Sequence, residues 1–550
     1  MKRIFKSLLL AAGVMLLASS CNNAAKMAEA ADKIKIKCNP EVLEAVGGKI
    51  NATVDVTFPE EYFLPKATLE VTPVIIYVGG EVAGKPFMYQ GEKITDNYKS
   101  VSKDGATISE KIQFDFVPGM EKSELVARAK VYYKGNEYTY PADIKIADGV
   151  NTTYTLVDAS GVSNLPMMAD NYQEIIPQKE EAQILYKIGR SEVRDSEIKS
   201  DDIKRFVEAL KALESDARRT VKGTEIVAYA SPDGSYSIND KLSSDREKSA
   251  KKAFDQVTKK VDAGNVTTRS IAEDWDGFQE LVKNSNIEDK ELILRVLSMY
   301  SDPEVREREI RNMSSVYTSL ADQVLPELRR ARFITNVEYA NFTADELTTL
   351  LDNNSEALDE EALLRAATLV KDNKAKLAAY KKAITRFDSD RAKYNAAICA
   401  LRDNNDKDAK GYLAAMKDKT SDAYKNIMGV IALRANKIDE AAKLFNEAGE
   451  IAKPNAAIVD MLTGKYADAA AKLKDAKGFN AALADILNNN LDGAAKKITC
   501  DCPKSSYLKA IIASRKGDAA AAKAELEKVK KNAQLAERVA KDIEFAKILR

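Results

Sequence analysis

Histidine is absent from the 550-residue chain, tryptophan occurs once and cysteine only five times. Without an imidazole there is no His general acid or base, no Ser-His or Cys-His nucleophile pair and no His-ligated metal. Most common hydrolase designs are excluded, while Lys, Asp or Glu chemistry remains open. An excess of one charge is lacking as well: 84 Lys and Arg balance 84 Asp and Glu. No surplus of basic side chains is available to displace phosphate counterions, so nucleic acid is not an expected partner. Past the N-terminus no apolar run reaches the ~18–20 residues that cross a bilayer. What is present is 45% hydrophobic and 31% charged residues, a globular composition with a charged surface. At ~100–200 residues per domain, the length suggests about three or four domains.

The N-terminus reads as an address. Lys2, Arg3 and Lys6 are basic, Leu8 to Ala18 is apolar, and the small residues Ala18, Ser19 and Ser20 precede Cys21. This resembles a bacterial lipobox, with Ala18 and Ser20 where the pattern favours Leu and Gly or Ala. The resemblance implies a signal peptide over 1–20, lipid on Cys21 and an outer-membrane location. Asn22-Asn23-Ala24-Ala25-Lys26 carries no acidic run of the kind that resembles a surface-export signal, which points to the periplasmic side. Residues 21–32 read as a polar, Ala-rich tether. Cys38, Cys399, Cys500 and Cys502 are scattered and form no disulfide framework. Cys500-Asp501-Cys502 is too tight for a relaxed bridge; these thiols read as buried or idle, with a disulfide between any two of them left open in an oxidising periplasm.

The expected architecture is multidomain α+β. Over 33–158, Ile50, Ala52, Val54, Val56 and Phe58 alternate with polar residues, as do Ile112, Phe114 and Phe116, and Ala127, Ala129 and Val131. Period two puts one face toward a core. Turn signals at Gly47-Gly48, Gly79-Gly80, Pro118-Gly119 and Lys134-Gly135 suggest an N-terminal β-sandwich. Residues 159–182, with Pro166 and Pro177, read as a linker. Over 183–343 strands (Ala182 to Ile188, Gly223 to Tyr229, Val266 to Ile271, Ala331 to Tyr339) alternate with helical patterns, a βαβ arrangement.

One compact stretch carries a second resemblance: Tyr229-Ala230-Ser231-Pro232-Asp233-Gly234, then Asn239, Leu242-Ser243 and Arg246, with Arg329-Arg330 before the last strand. This is similar to the OmpA-like peptidoglycan-associating module, with an insertion over 273–303. Asn239 or Asp240 is expected to cap a helix starting near Lys241, Gly234 to take a positive φ, and Arg246 to lie in the first two turns. The resemblance implies that Arg246 grips a stem-peptide carboxylate with two parallel hydrogen bonds. The family's partner Asp falls where this chain has Ser231, which supplies no charge; Asp233 is the carboxylate two residues on. Ser231, Asp233, Gly234, Asn239 and Arg246 are therefore the candidate peptidoglycan-binding residues.

From 344 to 550 the composition shifts to Ala, Lys, Leu and Asp. A register of small residue, Gly or Asn, Ala and bulky apolar residue recurs as Ala397/Asn404/Ala409/Leu413, Gly429/Asn436/Ala441/Phe445, Ala457/Gly464/Ala469/Leu473, Ala482/Asn489/Ala494/Ile498 and Ala510/Gly517/Ala522/Leu526. This resembles a tetratricopeptide-like all-α solenoid, which implies protein partners. No catalytic group, metal or cofactor is expected. Glu273-Asp274-Trp275-Asp276 is the only carboxylate cluster beside an aromatic residue, and its sequential spacing says nothing of glycosidase geometry. The leading expectation is a non-enzymatic lipoprotein linking the outer membrane to peptidoglycan and recruiting envelope proteins through its repeats. The alternative is an accessory subunit of an outer-membrane protein assembly or secretion machine that no longer binds peptidoglycan.

Overall fold

The computed structural model describes residues 23–549. The expectations for the signal segment and for lipid on Cys21 lie outside the described residues. Described residues up to Met168 and from Lys393 onward make one compact unit, and Ala169–Ala392 makes the other. The composition shift at 343 thus falls inside the second unit.

In the first unit, alternation builds two sheets. One orders Lys35–Asn39, Lys49–Phe58, Leu43–Val46 and Val150–Asn151, with Ala106–Asp115 also paired to Lys49–Phe58. The other orders Asn136–Thr139, Ser123–Tyr133, Ala67–Tyr77, Phe87–Gly91 and Lys99–Val101, with Ile144–Asp148 and Gly80–Ala83 paired alongside. Ile50, Ala52, Val54, Val56 and Phe58 are all buried, as are Ala127, Ala129 and Val131. Gly47 and Gly48 both take positive φ, 57° and 77°, which closes the tight hairpin between Leu43–Val46 and Lys49–Phe58. Asn23–Glu29, read as tether, is a helix whose Ala24, Met27 and Ala28 are buried in the sheets' core. Burial of these small apolar side chains outweighs the polar composition that suggested a free segment.

The same core continues into helices. Lys453–Leu462 and Tyr466–Lys472, Phe479–Leu487 and Leu491–Lys497, and Pro503–Arg515 and Ala519–Val529 follow one another as pairs, after Asp390–Arg402 with Asp406–Ala414 and Asp422–Arg434 with Ile438–Ala448. Ala482, Leu483, Ile486, Tyr507 and Ile511 join Leu69, Val131 and Phe58 in one apolar cluster. Asn404, Asn436, Gly464, Asn489 and Gly517 all take positive φ, between 57° and 82°, where each first helix ends. Gly429 faces the Phe445 ring so closely that an added methyl group would overlap it. A repeated ion pair ties first helix to second: Asp460 with Lys472, and Asp485 with Lys497 at 3.0 Å. Cys500 and Cys502, read as idle thiols, are joined as a disulfide; their Cα atoms stand 5.6 Å apart, within bridging reach. Cys38 and Cys399 remain thiols.

The second unit is built on one sheet ordered Ile175–Leu185, Arg330–Ala340, Arg219–Tyr229 and Val266–Ile271. Arg330–Ala340 runs antiparallel to both its neighbours, and Arg219–Tyr229 and Val266–Ile271 run parallel. The first strand begins at Ile175, inside the stretch read as linker, and includes Pro177. An edge strand tolerates Pro because one row of its N–H groups needs no partner. Phe206, Phe254 and Phe333 meet in the core, with Phe254 and Phe333 edge-to-face at 5.1 Å. Five helices from Trp275–Asn284 to Leu325–Leu328 cover the expected insertion and run past its end at 303, around their own core of Phe278, Val282, Ile293 and Leu328. Helices Ala344–Asn353, Glu360–Leu369 and Asn373–Phe387 complete this unit. The Arg218–Glu346 ion pair at 2.8 Å and the Tyr172 hydroxyl on Phe342 O at 2.8 Å tie them to the sheet.

Candidate functional site

The motif lies on a strand, a turn and a helix. Arg219–Tyr229 ends, Ala230 to Ser235 turn, and Tyr236–Val257 begins. The helix starts five residues before the expected Lys241, with Ser235 as N-cap and no side-chain cap bond. Asn239 therefore sits inside the helix rather than capping it. It is buried, and its amide donates to Gly234 O at 3.0 Å, tying the turn to the helix. Gly234 does not take positive φ; what requires glycine is close approach, since a Cβ there would meet Asn239 Oδ1 at 3.1 Å. Arg246 lies ten residues past the helix start, about 15 Å along the axis at 1.5 Å per residue. It is not in the first two turns, so the helix N-terminus and Arg246 do not share one anion.

Arg246 is fully buried, 0% exposed. Its Nε donates to Arg190 O at 3.0 Å, Nη1 to Tyr229 O at 2.9 Å and Nη2 to Lys187 O at 3.3 Å. The guanidinium stacks 5.0 Å over Tyr186, whose hydroxyl returns a bond to Arg246 O. Burial lowers the Arg246 pKa to about 10, and burial pushes the Tyr186 phenol up to about 12. Among the described residues no carboxylate lies within ion-pair distance of this guanidinium.

Ser231 and Asp233 face a different cation. Ser231 Oγ donates to Asp233 Oδ1 at 2.7 Å, Arg329 Nη2 donates to Asp233 Oδ2 at 3.0 Å, and Arg311 donates to Asp233 O at 2.6 Å. The paired side chains of Arg329 and Asp233 are only 13% and 16% exposed. The structure thus brings Ser231, Asp233 and Gly234 together in one turn, with Asn239 bonded to it, and spends Asp233 on Arg329. Arg329 and Arg330, read only as the opening of the last strand, are both working groups. Arg330 Nη2 donates to Asp274 Oδ2 at 2.8 Å, and Asp274 caps Trp275–Asn284 by accepting from Gly277 N. The carboxylate cluster is structural at that residue, while Glu273 accepts from the Trp275 indole at 2.9 Å.

No family model matches the chain, and no curated protein matches it. Among solved structures, a tetratricopeptide repeat protein from Parabacteroides merdae aligns at 10% identity, over 43% of this chain and 99% of its own, with a TM-score of 0.29. A likeness of that size carries no argument. The helix pairs rest on their own residues and angles. Among the described residues no helix is long and apolar enough to cross a membrane, and no group of three or more Cys, Asp and Glu is placed to hold a metal ion.

Proposed function

We propose that the chain is a non-enzymatic lipoprotein of the outer membrane, anchored through Cys21 and facing the periplasm, that serves an envelope assembly or secretion machine as an accessory, protein-docking subunit. In this reading its central domain keeps the OmpA-like strand–turn–helix motif without using it on peptidoglycan, and its helix pairs meet protein. One observation carries the reading: Arg246, the group that would grip a carboxylate, has no exposed surface and donates to three main-chain carbonyls. Reaching it requires dismantling the turn at Lys187 and Arg190. The neighbouring carboxylate is already neutralised by Arg329.

A second reading, a lipid-to-wall tether, is favoured by the missing counter-ion. A buried guanidinium without a carboxylate is an incomplete pair. The test is sedimentation of the chain lacking residues 1–21 with isolated peptidoglycan, beside Asp233→Asn. The docking reading expects neither protein to pellet above a protein-only control. Pelleting of the unaltered chain that Asp233→Asn abolishes would overturn it in favour of the tether.

A further inference from the structure

After the last strand of the first unit, residues 152–168 form no sheet strand. They lie along the helix pairs and are held there largely by asparagines on first helices. Asn480, in Phe479–Leu487, accepts from Asp158 N at 2.9 Å and donates to Asp158 O at 2.9 Å. Asn395, in Asp390–Arg402, accepts from Met168 N at 2.8 Å and donates to Met168 O at 2.9 Å. Each primary amide therefore meets both the N–H and the C=O of one residue, the pairing a neighbouring strand would supply. It reads main chain and not side chain. Between them Asn455, in Lys453–Leu462, accepts from the Asn164 amide at 3.0 Å and donates to Asn426 of Asp422–Arg434 at 2.9 Å. Asn395, Asn426 and Asn455 are buried, where an amide left unpaired costs about 1–3 kcal/mol.

Side chains supply the rest of the grip. Val162 and Leu165, three residues apart, are buried in the cluster of Ala397, Leu401, Val430 and Ile458. Gly161 takes φ 65° and lies so near Val430 and Asn455 that a Cβ would stand 3.1–3.2 Å from both. Only glycine fits there on both counts.

We propose that this asparagine-lined face is a peptide-binding groove, loaded in cis by residues 158–168. Its ligand class is a short segment with glycine next to an apolar residue and a second apolar residue three further on, uncharged after its first residue as 159–168 are. A partner supplying such a segment enters by displacing the strap. The inference does not rest on the envelope assignment, since the grip is the same in any compartment.

The test uses the chain lacking residues 1–21, its Gly161→Val form, and a labelled synthetic peptide spanning residues 156–168. Gly161→Val strains the strap and presses it off Val430 and Asn455 while every helix residue stays unaltered. Hydrogen exchange should rise at least tenfold at the Asp158 and Met168 amides and stay unchanged within Phe479–Leu487, which shows the pairs intact. The peptide should then bind Gly161→Val at least tenfold more tightly than the unaltered chain, and adding Asn395→Ala and Asn480→Ala should remove that binding. Equal binding to both proteins overturns the proposal. So does absence of binding to Gly161→Val once those amides exchange freely. Amides that stay protected in Gly161→Val overturn the seating of the strap at Gly161, and the groove with it.

Discussion

Arg246 carries a charge into a place without exposed surface, so its removal is a folding experiment before it is a binding one. Arg246→Ala orphans the carbonyls of Arg190 and Tyr229, leaves Lys187 O with only the Arg190 N–H at 3.1 Å, and empties the volume over Tyr186. The loss should be about 3–5 kcal/mol, read as a lowered urea midpoint of the second unit. Any loss of ligand binding in that variant is uninterpretable without this measurement. The spacing from Gly234 singles out Arg246 from sequence alone. The pairing of Asp233 with Arg329, across 96 residues, leaves no local trace, because nothing near either residue depends on the other until the sheet forms. Glu361 gives the pH dependence at this scale. Hydrogen bonds from Arg391, opposed by burial and aided by the Asn171 N–H, hold its carboxyl below the usual carboxylate range. A depressed folded value adds stability above the unfolded pKa, ~4.3, and loses it as pH falls through the folded one. Glu361→Gln should therefore lower stability at pH 7 by less than about 1 kcal/mol, since the pair is part-exposed, and change nothing near pH 2. Urea titrations at the two pH values check both halves.

Among elements, the helix pairs are the most legible. Their recurring Gly or Asn positions stand out in the sequence, and Asn404, Asn436, Gly464, Asn489 and Gly517 take the left-handed conformation that ends a helix. A helix must stop somewhere, and only those residue types stop it at small steric cost. The small residue of each register has an equally local cause, so Gly429→Ala should invert the usual rule. In an exposed helix the change stabilises by about 1 kcal/mol. Here the new methyl group meets Phe445, and the expected outcome is a loss of about 1–3 kcal/mol by thermal unfolding. Boundaries are less legible. The start at Tyr236 of the helix carrying Arg246 is hidden because its first turn faces solvent, with Tyr236 and Ile238 exposed, so no buried apolar period marks it. Pro177 hides a strand for the opposite reason: its missing N–H is harmless only at an edge, and which strand is the edge is decided by Arg330–Ala340, far along the chain.

At the scale of the molecule, composition separates sheets from helices but not the units they form. The shift at 343 marks a change of element and not a boundary, because Arg218 and Tyr172 bind the next helices to the second sheet. Likewise nothing in the N-terminal strands announces that their core continues into helices from Lys453 onward. Residues 169–392, expressed alone, should unfold cooperatively in urea, since their cores are their own. Residues 393–549 alone should keep helical circular dichroism and lose the cooperative transition, because Tyr507, Ile511 and Ile486 lose the strand side of their cluster. A sharp transition in that fragment would show the shared core to be dispensable. The interruption of the first unit by about 220 residues also imposes a schedule. At ~5–20 residues per second, a ribosome takes about 10–45 seconds between finishing Met168 and reaching Lys393, where the first unit resumes. For that interval the strand half exists with an uncovered apolar face, and the span 158–168 has nothing to hold it. A chaperone or export factor acting on the nascent chain has its clearest opening there, and late-appearing helices, not early strands, set the moment at which the unit closes.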